Sequence, residues 1–392
     1  MMMKIRCLLV WALSVLSCSA LPAQDSIRFS LLTCEPGQEV YALFGHTALR
    51  CQRPERGVDV VFNYGMFSFR TPNFVLRFVK GETDYQLGVM PFPHFESEYA
   101  LRGSSVYEQE LNLTPGEKLR LWQLLETNYR PENRVYRYNY FYDNCTTRAR
   151  DQVEKAIEGR VVYPDSLTGK TYRRIVHEFT AGSAWNELGI DFCLGAEADC
   201  PIGQRQQMFS PFYLKNYAAH AYIINKEGNC RPLVLRESLI VDVPAESSVA
   251  AFPLPPFTCA CLLLAVSVAV ALVQWRNRRV YWAWEVLLMV AQGLAGCIIA
   301  FLFFFSVHPT VGSNWMLWLF NPVPLMYAPV LVYCLVKGRK DLYPGLNSLY
   351  LTIFVIIVAL KCQEFNLTVV PLALALLVNS ASHALIVRNN SK

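Results

Sequence analysis

Hydrophobic positions follow two different rhythms along this chain, and the change falls near residue 257. Before it, apolar residues come in short alternating or helical patterns broken by turn residues. After it come five nearly continuous apolar stretches, at roughly 257–275, 283–305, 315–336, 346–361 and 367–387. Each approaches the ~20 residues that cross a hydrocarbon core, the fourth being short. In the first part, Glu39 to Gln52 and Val58 to Gly65 read as strands, with turn chemistry in Gln52 to Gly57 between them. Thr114-Pro115-Gly116-Glu117 is a capping box that opens a helix to about Asn128. Tyr136, Tyr138, Tyr140 and Tyr142 recur at strand period, predicting a strand through Tyr142. Ala149, Val153, Ala156 and Ile157 then follow at helical spacing, with Gly159 as a stop.

These patterns divide the chain into a signal peptide over 1–20, an exported domain over 21–245, a linker over 246–256 and a membrane domain of five spans over 257–392. The signal has Lys4 and Arg6, an apolar run from Leu8 to Leu16, and small residues from Ser17 to Ala20. Val15-Leu16-Ser17-Cys18 is also a loose lipobox, which would leave Cys18 lipidated. Arg276, Arg278 and Arg279 follow the first span, Lys337, Arg339 and Lys340 the third, and Arg388 and Lys392 the fifth. The connections after the second and fourth spans carry neither lysine nor arginine. The basic ends are therefore cytoplasmic and the domain before the first span is outside, as the signal peptide also requires. Glu285 and Lys361 lie near span ends, where snorkelling accounts for them. Asn321-Pro322-Val323-Pro324 breaks the third span, to kink it or to line a cavity.

Composition agrees with this division: 53% of residues are hydrophobic and only 17% charged. The net charge of +5 is not gathered into a patch, which argues against nucleic acid as a partner. The thirteen cysteines show no metal-ligand spacing, so no metal site and no cofactor is expected. Cys193 and Cys200 could close a short disulfide loop, whereas Cys34 and Cys51 flank one strand.

The chemistry centres on Cys145. Asp143 or Asn144 is a good N-cap, which puts Cys145 in the first helical turn, where free N–H groups and the helix dipole favour thiolate. Asn144 and Thr146, at the same helix start, flank the candidate oxyanion site. A thiol nucleophile needs a base, and His46 is the best one; His94, His177 and His220 lie in poorer settings. With the turn centred between Pro54 and Glu55, Asn63 stands opposite His46 and could orient it; a one-residue slip would put Tyr64 there. Asp143 reads as a cap, with Arg148 and Tyr64 as supporting residues. Each of these residues also has an ordinary reading, as half of a disulfide, a satisfied strand histidine or a core tyrosine.

Three segments together carry a resemblance: Phe44-Gly45-His46-Thr47-Ala48-Leu49-Arg50, Phe62-Asn63-Tyr64-Gly65, and Tyr142-Asp143-Asn144-Cys145-Thr146-Thr147-Arg148. With Met208-Phe209-Ser210-Pro211 and the multi-span C-terminal part, the chain resembles the Lnb-type lipoprotein N-acyltransferases of Bacteroides relatives. The resemblance implies an α+β, permuted papain-like, NlpC-related periplasmic domain followed by an all-α five-helix transmembrane domain, held in the bacterial inner membrane. It implies a cysteine acyltransferase that moves an acyl chain from a phospholipid donor, through a thioester, to a diacylated lipoprotein acceptor. The rival expectation is a membrane-anchored cysteine peptidase or amidase acting on cell-wall peptides with water as acceptor.

Overall fold

The computed structural model describes residues 27–165, 167–244, 252–339 and 341–389. The signal segment, Cys18 and residues 245–251 of the linker region lie outside the described residues. The N-terminal part is a mixed α/β domain built on strands β1 (Arg28–Cys34), β2 (His46–Arg53), β3 (Val58–Met66), β4 (Asp84–Pro91), β5 (Val106–Leu111), β6 (Val135–Arg137) and β10 (Val234–Val241). They form one antiparallel sheet in the order β10-β5-β1-β2-β3-β4-β6. A small second sheet joins β7 (Arg160–Val162), β8 (Tyr222–Ile224) and β9 (Cys230–Pro232).

Alternation along the strands sends side chains to two separate cores. Leu32, Ala48 and Val61 face one side, where they meet Phe95 and Tyr99. Phe29, Leu31, Leu49, Phe62 and Tyr64 face the other, against Leu121, Leu125, Ala149 and Val153. The helices of this domain, in chain order, are α1 (Phe74–Lys80), α2 (Phe92–Leu101), α3 (Pro115–Tyr129), α4 (Cys145–Ala156), α5 (Tyr172–Thr180), α6 (Ala184–Cys193), α7 (Gln204–Gln207) and α8 (Pro211–Ala219). The expected capping box starts α3: Thr114 Oγ1 accepts from the Glu117 N–H while a Glu117 carboxylate oxygen accepts from the Thr114 N–H.

Two strands are shorter than their patterns predict. Residues 39–45 form no strand; a 3-10 turn at Val40–Ala42 and a left-handed Gly45 precede β2. The tyrosine strand stops at Arg137. Asn139 Oδ1 accepts from the N–H groups of Phe141 and Tyr142, and Asn139 pairs with Asp143 in an isolated bridge, so the chain turns while the tyrosine spacing continues.

The C-terminal part is helical: α9 (Pro256–Asn277), α10 (Trp282–Phe305), α11 (Val323–Lys337), α12 (Tyr343–Ala359) and α13 (Val369–Asn389). Among the described residues, four segments are long and apolar enough to cross a membrane: Pro256–Asn277, Trp282–Phe305, Trp315–Lys337 and Val369–Arg388. The fifth, Tyr343–Ala359, is shorter, at 17 residues. The Asn321-Pro322 break in the third segment packs directly on α10, where a Cβ on Gly296 would lie 2.2 Å from the Asn321 carbonyl carbon. Gln292 of α10 donates to the Leu319 carbonyl at 2.8 Å, serving an acceptor near the break. Glu285 does not snorkel as expected. It is 3% exposed and accepts from Asn379 Nδ2 of α13 at 2.7 Å, because an amide partner inside the bundle replaces water.

Candidate functional site

His46 is the first residue of β2, and Gly45 puts it there. Gly45 has φ +73°, and a Cβ on it would stand 2.5 Å from the Cys34 carbonyl oxygen. Only glycine accepts both the turn and the contact. The half-buried imidazole lies nearly parallel to the Tyr99 ring of α2, 13° apart with centroids at 6.5 Å.

Asn63 reaches His46, though not across the expected rung. The ladder pairs Leu49 with Phe62 and Arg53 with Val58, two residues displaced from the predicted register. The connection is a 3-10 turn at Pro54–Arg56 closed by left-handed Gly57, which moves its centre toward Arg56. An even shift keeps Asn63 on the face of His46, so the two meet diagonally. His46 Nε2 and Asn63 Oδ1 are 2.5 Å apart. The amide oxygen only accepts, so Nε2 carries the proton and Nδ1 is left for another partner.

That partner is Cys145, the first residue of α4. Asn144 is the N-cap: its Oδ1 accepts from the N–H groups of Thr146 and Thr147, both at 2.9 Å. Its Nδ2 donates to the carbonyls of Tyr140 at 2.8 Å and Phe209 at 2.9 Å. Asn144 is thus fully spent on holding the turn, and the Thr146 N–H at the expected oxyanion site donates to it.

Cys145 packs mainly with the core opposite His46 and lies beside Gly65 of β3. A Cβ on Gly65 would sit 3.6 Å from the Cys145 Cβ, at a point where β3 is irregular and φ is +86°. Burial acts to raise the Cys145 thiol pKa, but the facing His46 charge and hydrogen bond, the Thr47 N–H and the Thr146 hydroxyl outweigh it and bring it down to about 7. Burial acts to lower the His46 pKa, and Cys145 and Asn63 together outweigh it, so the net direction is upward. Cys34 stands across from His46 on β1, but burial drives its thiol strongly upward and keeps it protonated. The two neighbouring cysteines therefore differ in reactivity for electrostatic reasons.

The other expected residues fall into place unequally. Asp143 and Arg148 form a bidentate pair at 2.6 and 2.7 Å, with the guanidinium 3.6 Å from the Tyr136 ring centroid. The pair braces the turn before Cys145. Tyr64 points away from the site, fully buried, and donates to Asn128 Oδ1 at 2.6 Å. Arg50, in the His46 segment, is held by Asp59 and Glu108. Cys193 and Cys200 are free thiols rather than a disulfide. Sequence reasoning missed Thr47 and Tyr99. Thr47 Oγ1 lies 3.1 Å from Thr146 Oγ1, joining β2 to α4, and a threonine at an inward position of an apolar strand was the signal available. His177, Glu187 and Asp191 also bring ligand-type atoms within 4.8 Å of one another, but Asp191 is already engaged by Arg173 and Asn366.

Fold and site together define a membrane-anchored α/β protein whose extramembranous domain carries a thiol, an imidazole and an amide in series. The Lnb N-terminal periplasmic domain profile matches residues 22–178, and the Lnb transmembrane domain profile matches residues 246–391. The chain belongs to the Lnb family, with a periplasmic domain followed by a transmembrane part. No curated protein and no solved structure matches it.

Proposed function

We propose that this protein is a lipoprotein N-acyltransferase of the inner membrane, with Cys145 as nucleophile, His46 as general acid and base, and Asn63 as the group that orients His46. The observation that carries this reading is the Cys145–His46–Asn63 series in a domain bonded to membrane helices. The order of histidine before cysteine fits a permuted papain-like site. In the first half-reaction the Cys145 thiolate attacks an ester carbonyl of a glycerophospholipid. The Cys145 N–H, first in its helix and without an intrahelical acceptor, faces the developing oxyanion. A lost oxyanion donor typically costs roughly 3–4 kcal/mol of transition-state stabilisation. The C–O bond breaks, protonated His46 gives its proton to the departing lysophospholipid oxygen, and the acyl group stays on sulfur as a thioester.

In the second half-reaction the α-amine of a diacylglyceryl-cysteine attacks the thioester. Neutral His46 takes the amine proton, the C–S bond breaks, and the amide leaves with the lipoprotein. Both substrates are bilayer lipids, which gives a reason for joining a thiol domain to a helical membrane part. No cofactor is needed for either half.

The test is to incubate the full-length protein in vesicles with acyl-labelled phospholipid, and to determine lipoprotein N-terminal acylation with and without it. The expected result is a base-labile acyl adduct that Cys145→Ser abolishes, and a third acyl chain on the lipoproteins. A hydrolysed cell-wall peptide without any acyl adduct would overturn the proposal in favour of a peptidase.

A further inference from the structure

Helix α1 is a seven-residue element with an apolar surface that the domain does not cover. Val75 is 73% exposed, and Leu76, Phe78 and the preceding Phe69 are also exposed. The C-terminal end of α1 is bonded to the end of α10. Val307 N–H donates to the Lys80 carbonyl at 2.9 Å, Ser306 Oγ to the Val79 carbonyl at 2.8 Å, and His308 Nε2 to the Phe78 carbonyl at 2.6 Å. These bonds serve carbonyls that a helix end otherwise leaves open. They also join the exposed face of α1 to Phe304, Phe305 and Val307, which are 63–66% exposed at the end of a candidate span. Exposed apolar side chains thus stand on both sides of the junction between the membrane helix and α1.

Aromatic rings lead from this surface to the thiol. Phe78 stacks with Phe74 at 6.1 Å, Phe74 with Phe67 at 5.6 Å, Phe67 with Tyr85 at 4.9 Å, and Tyr85 with Tyr138 at 4.2 Å. The Tyr138 ring edge then comes within 3.9 Å of the point where a Gly65 side chain would begin, the same point that Cys145 Cβ approaches. Burial holds the Tyr138 and Tyr85 phenols neutral.

Resting on the acyltransferase reading, we propose that α1 lies in the outer leaflet and that the Phe78–Phe74–Phe67–Tyr85–Tyr138 series is the track along which a phospholipid acyl chain reaches Cys145. The occupant is a bilayer lipid because the exposed face of α1 continues the lipid-facing end of α10. An amphipathic element of this kind gains affinity from the apolar area it sinks below the headgroups.

The first test needs no turnover. Full-length Cys145→Ser protein is placed in phosphatidylethanolamine–phosphatidylglycerol vesicles containing a phospholipid with a terminal acyl diazirine, then irradiated and mapped by mass spectrometry. Adducts are expected on residues 74–80 and on Phe67 or Tyr85, besides the membrane helices. Adducts confined to residues 256–389, or cross-links from 74–80 to a second copy of the chain, would overturn the track. The second test compares Leu76→Asp with the unaltered protein, as the ratio of Cys145 acylation by vesicle phospholipid to acylation by soluble p-nitrophenyl butyrate. The ratio should fall by about tenfold or more, since a charge on this face opposes insertion; an unchanged ratio would overturn the proposal. An unaltered protein that takes no acyl group from phospholipid would instead refute the acyltransferase reading, while the photolabelling result stands on its own.

Discussion

His46 and Asn63 meet on a diagonal of the β2–β3 ladder, with the imidazole Nε2 and the amide Oδ1 2.5 Å apart. The diagonal fixes which imidazole nitrogen holds a proton and turns the other toward sulfur. Asn63→Ala should remove that orientation and leave the ring free to rotate. We expect Cys145 acylation to slow by roughly 10²-fold, the usual scale for a misaligned catalytic group. A single-turnover rate within threefold of the unaltered protein would show that Asn63 does not position the ring.

The thiolate should be visible in the pH dependence of alkylation. The folded Cys145 thiol has its pKa lowered from 9.0 to about 7, so its iodoacetamide reactivity should rise through pH 7 and level off above it. His46→Ala removes the facing positive charge while burial still acts to raise the pKa, so the midpoint should move upward. A midpoint near 9 in the unaltered protein would contradict the charge pairing.

Asn144→Ala should chiefly affect stability. It removes the cap on Thr146 and Thr147 and strips the Tyr140 and Phe209 carbonyls of their donor. Loss of such a cap costs about 0.5–2 kcal/mol, and the buried carbonyls add to it. Thermal unfolding of the full-length protein in detergent should show a Tm lower by several degrees, with Cys145 alkylation slowed as well.

Gly45 and Gly57 offer a matched comparison, since both are left-handed, with φ +73° and +61°. A Cβ at Gly57 meets nothing within 4 Å, so Gly57→Ala should cost only the backbone strain, about 1 kcal/mol. Gly45→Ala also collides with the Cys34 carbonyl and must move the start of β2, His46 included. It should lower Tm further and reduce Cys145 acylation, whereas Gly57→Ala should leave acylation near normal.

The sequence made some of this legible because local chemistry was decisive there. The Thr114 capping box and the start of α4 depend on side chains within three residues of the cap, and both form as expected. The β2–β3 register was harder because it depends on how the Pro54–Arg56 turn closes; a displacement of two residues preserved the His46–Asn63 contact where a displacement of one would have lost it. The tyrosine alternation misled because Asn139 captures two backbone N–H groups and turns the chain inside the pattern. Glu285 misled for a different reason. Its partner Asn379 is 94 residues away, and no local pattern announces such a pair.

The bonds between the two parts of the chain carry one more consequence. One set joins α1 to residues 306–308; another joins Asp191 to Asn366 and the Asp199 carboxylate to the Glu364 N–H. With the domain tied to the helical part by these and other bonds, the height of Cys145 above the hydrocarbon is a built-in length. On the proposed acyltransferase reading, a bilayer thicker or thinner than that length must itself deform to present an ester to the sulfur. Membrane thickness thereby becomes a kinetic variable, and vesicles that differ only in acyl-chain length should give a rate optimum rather than a plateau.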